Sequence, residues 1–533
     1  MGTAPRVFVR EATGLVRQFS TSTVIGMNLS SLTLYTGLVY YISLAYIFPK
    51  ADLTLSTLLS VLILVPNGLG IAMMTVAMPR SGADYVFSGR VLHPALGFMA
   101  LLSSNVWFAF YSGAFANWAF TSGLSPMLTV IGSVLNSTDI VNLGTLVSQP
   151  VIVTIGGITF IVVTAVIAIV SRRWTAALNT ILATAGVLSL AVAMFVLLTS
   201  SNEAFRAALN SYSSRYTSDP NYYNSVLQAA QSNGLASGFS WSDTFAMIPF
   251  GAFVFAFLVN FQAVGGELKN APKTSYIGCL ISILLAGVIG VGATAAYQSV
   301  VTTDFNNAVN LAYYTGKYAL PVPPTLNFFA SLLTNNVVVL VLINVGILFT
   351  SVALLFNYYL FVSRQLLATA FDRITPEKLA DVSEKFHTPH VAILFCMVIA
   401  AVLLPLFTYF GSVFLAISAV FGEIAFGMLV WAVACIVFPF LKRTRDMYQS
   451  SPVRKSVGGV PLITLVGIWN LIALGAMSYL YFVDPAYGTN APLSLASVTL
   501  VAAAGPVWYF ARRAYLKSKG LDLDLVFRQL PPE

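Results

Sequence analysis

The sequence predicts an all-α integral membrane protein, a bundle of twelve transmembrane helices. Three observations carry that prediction. Hydrophobic residues make up 57% of the 533 positions and charged residues only 9%, where soluble domains carry about 25% charge. Apolar runs near the ~20 residues that a helix needs to cross the hydrocarbon core recur along the whole chain. Lysine and arginine gather in alternate connections between those runs. No stretch is long and polar enough for a soluble domain. The first 20 residues carry Arg6, Arg10, Glu11 and Arg17 without an apolar core or small-residue cleavage site, so they do not read as a secretory signal.

A hydropathy reading over about 19 residues places the first six spans at 23–48, 54–78, 96–120, 150–170, 176–199 and 244–264. The second six fall at 276–297, 335–362, 390–408, 412–438, 461–483 and 493–511. An even number puts both termini on one side. With the termini in the cytoplasm, only Lys50, Arg206, Arg215 and Lys317 of the 27 basic residues fall outside, the asymmetry of a multi-pass protein of the cell membrane. The net charge of +8 is thereby explained by topology, and no basic, aromatic-interleaved patch points to nucleic acid. Cys279, Cys396 and Cys435 lie inside predicted spans, where they read as small core hydrophobes. No metal-ligand spacing exists, and no cofactor is expected.

The connections are read in the same way. The outer stretches 121–149 and 200–243, the latter with "SYSSRYTSDPNYYNS", read as solvated loop, and Asn136-Ser137-Thr138 is a glycan acceptor sequence. On the inner side, "TPEKLADVSEKF" within 363–390 has the apolar spacing of a short surface helix. "GGELKNAPKTS", Gly265 to Ser275, reads as the inner end of span six, with Lys269 and Lys273 meeting an anionic leaflet and Pro272 stopping the helix.

Chemistry is sought where polar groups interrupt hydrocarbon. Glu423 in "SAVFGEIAFGM" is the acidic residue placed deep inside a span, at a cost of about 3 kcal/mol; it is either a protonated helix-to-helix hydrogen-bond donor or a proton or cation site. In span one, "GMNLSSLTLYTG" brings Asn28, Ser30, Ser31, Thr33 and Thr36 into an apolar run. Span six opens "FAMIPFGAFVFAF", with Pro249 and Gly251 among aromatics. Small and hydroxylic residues also serve close helix packing. Yet the two segments begin two successive groups of five spans, where inverted-repeat transporters place discontinuous helices.

Three further segments carry a resemblance. "MPRSGADYVFSGRVLHPALGF" (Met78 to Phe98), "GGELKNAPKT" and "VSRQLLATAFDRITPEKLADVSEKFHTPHVAI" (Val362 to Ile393) resemble, in order and at the right spans, segments of the amino acid–polyamine–organocation superfamily. With the span count, the resemblance covers nearly the whole chain. It implies the leucine-transporter fold: a cytoplasmic tail 1–22, a first inverted five-helix repeat 23–199, an external segment 200–243, a second repeat 244–438, two peripheral helices within 439–511, and a cytoplasmic tail 512–533. It also implies an amino acid held by freed backbone groups of spans one and six, carboxylate on helix N-termini and amino group on carbonyls. The matching positions are Asn28 to Thr33 and Phe250 to Phe257, including Gly251, Phe253 and Phe255. "NLSSLT" stands where the family has a Gly-rich motif, "FVFAFLVNFQ" departs from its span-six pattern, and span five lacks the lysine of some relatives.

The expectation is a permease for amino acids or related small amines, coupled to H⁺ or Na⁺, with an amino acid or polyamine exchanger as alternative. Thr350 and Ser351 in span eight stand where sodium-coupled members of the wider fold place hydroxyl ligands; the bland reading has them bonding back to the preceding turn. Trp107, Phe108 and Tyr111 in span three are an aromatic wall or simple packing. A membrane enzyme would need an acid–base pair or metal ligands, and His93, His387 and His390 have no companion motif. A channel would need a charged ring or carbonyl filter. Expected partners are therefore the substrate, a coupling ion and the bilayer; the sequence leaves the oligomeric state open.

Overall fold

The structure, a computed structural model, describes residues 12–32, 34–257, 260–417, 422 and 424–531, with backbone alone at 260 and 412–417. Among these residues nine helices are long and apolar enough to cross a membrane. Among them, predicted spans one and six have no uninterrupted helix of that kind, and predicted span ten lies partly outside the described residues.

Span one is divided into α1 (Thr21–Ser31) and α2 (Leu34–Ser43). Helix α3 (Leu53–Ala77) starts where the Asp52 carboxylate accepts the Leu55 N–H at 2.8 Å. A short α4 (Ala83–Val91) leads to α5 (Pro94–Trp118), which begins with His93 Nδ1 accepting from the Ala95 N–H and Pro94 in the first turn. A π-helical turn, Ala119–Leu124, carries α5 on into α6 (Ser125–Val134). Next come α7 (Thr138–Val147), α8 (Pro150–Val170), α9 (Arg172–Leu198), α10 (Asn202–Ser213) and α11 (Tyr222–Ser232). Span six holds α12 (Trp241–Ala246) and α13 (Ile248–Phe255). Then follow α14 (Ala271–Val301), α15 (Thr303–Tyr314), α16 (Leu326–Ser331), α17 (Val337–Phe371) and α18 (His390–Ile417). The chain continues with α19 (Leu429–Val437), α20 (Lys442–Ser450), α21 (Leu462–Val483), α22 (Pro492–Ser518) and α23 (Leu523–Val526).

Helix α3 packs along α14 and α17 along α9, while α1 lies against α9 and α14 and α13 against α3. The interrupted spans thus run through the interior and the uninterrupted ones enclose them. Gly113 of α5 permits one close crossing: a Cβ there would stand 2.6 Å from the Leu404 backbone nitrogen of α18. Outward faces are apolar, with Val288 73%, Leu500 70% and Phe195 67% exposed. Water would penalise such faces, and lipid does not.

Several local expectations are corrected. The stretches expected as outer loops are largely helical: α6 and α7 occupy much of 121–149, and α10 and α11 much of 200–243, where Tyr223 stacks on Phe305 with centroids 4.1 Å apart. The apolar faces of α10 and α11 are buried through Phe205, Leu209, Tyr212, Tyr222 and Tyr223, so a Ser- and Tyr-rich tract is not free loop. The surface helix expected from "TPEKLADVSEKF" reduces to one 3-10 turn, Glu377–Ala380, because α17 runs on to Phe371 and Ala380 packs with Leu367 and Phe371. Pro272 does not stop span six; it stands in the first turn of α14, where a missing N–H costs nothing, and the Asn270 side chain caps that helix at Lys273. Pro249 likewise sits in the first turn of α13, which runs through Gly251 and ends at Phe255. The interruption of span six therefore lies one turn beyond the expected place.

Candidate functional site

In span one, the Ser31 hydroxyl donates to the Met27 carbonyl at 2.7 Å and the Leu32 N–H to the Asn28 carbonyl, closing α1 before α2 resumes at Leu34. Short polar side chains that bond back to the main chain offer the helix an alternative to continuing. In span six, α13 is followed by a turn and then by 3-10 segments at Asn260–Ala263 and Gly265–Glu267. Such non-helical backbone is tolerated within hydrocarbon only where protein or a water-filled cavity shelters it.

A cavity of about 480 Å³ lies between these interruptions. Ser31, Thr36, Gly37 and Tyr40 of span one line it, with Phe250, Phe253 and Phe257 of span six. Trp107, Phe108, Tyr111, Phe115 and Trp118 of α5 form another wall, and Ile347, Leu354 and Phe407 contribute from α17 and α18. Toward the end that bears α15, the lining passes to Asn310, Tyr313, Tyr314, Thr325 and Tyr487. The rings are paired: Tyr40 with Phe253 at 5.8 Å, Phe253 with Phe257 at 5.6 Å, Tyr111 with Trp118 at 6.2 Å. No Asp, Glu, Lys, Arg or His lines the cavity among the described residues.

Of the residues singled out in the sequence, Ser31, Thr36, Trp107, Phe108, Tyr111, Phe250, Phe253 and Phe257 come together here. Thr33 and Glu423 lie outside the described residues. Asn28 is fully buried in α1, and neither polar atom of its side chain has a hydrogen-bond partner among the described residues. Ser30 turns to α17, accepting from Asn357 Nδ2 at 2.8 Å. Gly251 is a packing position, since a Cβ would come 2.2 Å from the Ser60 hydroxyl of α3. Phe255 is buried against Gly290 of α14. The Thr350 hydroxyl bonds to Thr36 at 2.9 Å and to the Gly346 carbonyl at 2.8 Å, while the Ser351 hydroxyl is buried without a partner among the described residues.

Sequence reasoning missed a polar bridge. Asn179 of α9 donates to Asn357 of α17 at 2.8 Å, and the Asn357 amide in turn reaches Ser30 and, at 3.5 Å, the Met27 carbonyl. This ties the end of α1 to two long helices. Single asparagines inside apolar runs were the available signal. Tyr40 and Trp118 were also missed; an aromatic in an apolar run carries no mark of which way it faces.

The Lys- and Arg-rich end of the bundle is closed by buried ion pairs. Arg364 of α17 meets Glu267 at 3.0 Å, both fully buried. The main chain at Glu267 also accepts the N–H groups of Gln18 and Phe19 at 2.8 and 3.0 Å, so the N-terminal segment is stitched to the same place. Arg90 of α4 makes two bonds to Asp372, 2.6 and 2.8 Å, and Tyr85 donates to the same carboxylate. The Phe527 ring stands 4.6 Å from the Arg90 guanidinium, and the Pro531 carbonyl accepts from Arg80 at 2.7 Å, which seats the C-terminal segment over this end.

Asp84 in the first turn of α4 accepts from Gln365 Nε2 at 2.8 Å. Burial pushes its carboxyl up to about 7, although hydrogen bonds from Tyr85, its own main chain and Gln365 pull the other way. An unfolded aspartate titrates near 3.9, so the folded chain holds this proton longer. The stability that the proton contributes is present at low pH and is lost as pH rises from about 4 to about 7. Asp84→Asn is expected to gain on the wild type across that window, on the order of 3 kcal/mol above neutrality. Thermal unfolding in detergent at pH 5 and pH 8 checks this: the gap should open with pH, and parallel profiles contradict it.

A family model described as amino acid permease matches residues 19–504 of the chain. No curated protein matches it.

Proposed function

The chain belongs to the amino acid permease family, and from that premise we propose that the cavity between spans one and six is the site at which an amino acid or related small amine is carried across the cell membrane by alternating access. Membership makes the protein a multi-pass membrane transporter rather than a member of an enzyme class. The observation that carries the finer reading is the meeting of two helix interruptions at one sheltered cavity. The first turn of α2 offers unpaired N–H groups to a carboxylate, and the last turn of α13 offers carbonyls to an amino group, so a zwitterion is matched without a charged side chain. This reading keeps the twelve-span, inverted-repeat arrangement and the cytoplasmic termini suggested by the distribution of basic residues.

Coupling to H⁺ through Glu423 or to Na⁺ through Ser351 and Thr350 belongs to the same proposal. The unpaired Ser351 hydroxyl and Asn28 amide support a bound ion near α1; hard cations take oxygen ligands. Exchange of one amino acid for another is the second reading, favoured by a described lining without acid or base. Uptake of labelled amino acids into proteoliposomes tests the whole. Saturable uptake is expected, dependent on a sodium or proton gradient for symport, or on internal amino acid for exchange. Absence of uptake and exchange for every amino acid and amine rejects the function. Equal uptake by the wild type in sodium and choline removes the sodium role of Ser351, and an unchanged pH profile in Glu423→Gln removes the proton role.

A further inference from the structure

Thirteen of the 25 residues lining the cavity are aromatic, and none among the described ones carries a charge. These rings come from opposite parts of the chain, Tyr111 and Trp118 on α5, Phe253 and Phe257 at the end of span six, Tyr40 on α2. We propose that the site selects amino acids with large apolar side chains, aromatic ones foremost, and rejects those with charged side chains; this rests on the transport function proposed above and names its substrate class.

Three physical points favour that occupant. The volume, about 480 Å³, lies within the ~300–1,000 Å³ of small-molecule sites and leaves a glycine or alanine with few neighbours, forfeiting dispersion contacts. A ring entering between paired rings extends their offset and edge-on arrangement and removes apolar area from water. A carboxylate or ammonium on the side chain would lose its hydration without gaining a counter-charge. Aromatic faces do attract cations, but the attraction returns only part of the hydration that an ammonium gives up. The hydroxyls of Ser31, Thr36 and Tyr40 can serve a polar ring substituent, so tyrosine and tryptophan belong to the class.

The test is competition in proteoliposomes loaded with the wild-type protein, using whichever labelled amino acid is taken up. Phenylalanine, tyrosine, tryptophan and leucine are expected to compete at least about tenfold better than lysine, arginine, aspartate, glutamate or glycine. Phe253→Ala should raise KM for tryptophan about tenfold more than it raises KM for alanine. Lysine or arginine competing as well as phenylalanine overturns the inference. This is the outcome expected if Glu423, one position from the Gly422 that abuts Trp107, supplies a counter-charge. Equal competition by aspartate, glutamate or glycine overturns it too, while leaving the transport function standing. Failure of every amino acid to be taken up or exchanged removes both.

Discussion

Glu267→Gln is expected to lower stability by about 3–5 kcal/mol, because it strands a fully buried guanidinium without its counter-charge. Arg364 donates from Nε to Glu267 at 3.0 Å and from Nη2 at 3.5 Å, and both side chains are shut off from solvent. Its remaining partner among these is the neighbouring Ser363 hydroxyl at 3.1 Å. The Arg172 charge also acts on both members of the pair, so removing the carboxylate leaves two guanidiniums repelling one another. The pair joins the exit of span six to α17 at the point where the N-terminal segment is bonded to the Glu267 carbonyl. Loss of the charge should therefore loosen that end of the bundle as well as lower the melting temperature. A double variant, Glu267→Leu with Arg364→Met, should melt above the single variant, since apolar isosteres carry no desolvation cost. A single variant as stable as the wild type in detergent melts would show that the pair contributes nothing.

Asn357→Ala should be the most damaging single change near the cavity. It removes the acceptor for Asn179 and the donor to Ser30, both at 2.8 Å, within a fully buried setting. Each buried group left unpaired costs about 1–3 kcal/mol, so a loss on the order of 3 kcal/mol is expected. Transport should suffer more than stability indicates, because Ser30 adjoins Ser31 at the interruption that lines the cavity. Uptake per folded protein is expected to fall at least about tenfold, measured against the monodisperse fraction after reconstitution. Wild-type KM and rate in a folded Asn357→Ala variant would show that the bridge does not position α1.

What could be read in advance follows from the range of each interaction. Apolar runs such as 150–170 and 176–199 announce α8 and α9 because lipid demands nothing but length and hydropathy. The interruption of span one was legible in "NLSS", whose side chains compete for backbone groups locally. That of span six was misplaced: "AFLVNF" contains no Gly or Pro to mark it, and α13 ends at Phe255, beyond Pro249 and Gly251. Helices α10 and α11 were hidden because a short amphipathic pattern rich in Ser, Asn and Tyr matches a solvated loop until a bundle stands beneath it. Glu267 and Arg364 are separated by 97 positions, and nothing local marks them as partners. The aromatic lining was half legible: Trp107 and Tyr111 sit at helical spacing on α5, whereas Tyr314 and Tyr487 reach the cavity from connections.

The central claim is that an amino acid sits against the interruption of span one, and Ser31→Cys tests it most directly. The native thiols, Cys279, Cys396 and Cys435, are buried away from the cavity that Ser31 lines, so a small water-soluble thiol reagent should report chiefly on the introduced one in purified protein. A transported amino acid at saturating concentration is predicted to slow modification at position 31 by about tenfold or more, with no effect on a cysteine placed at the exposed Ser214. Modification at position 31 that proceeds at the same rate with and without a transported amino acid would contradict the account.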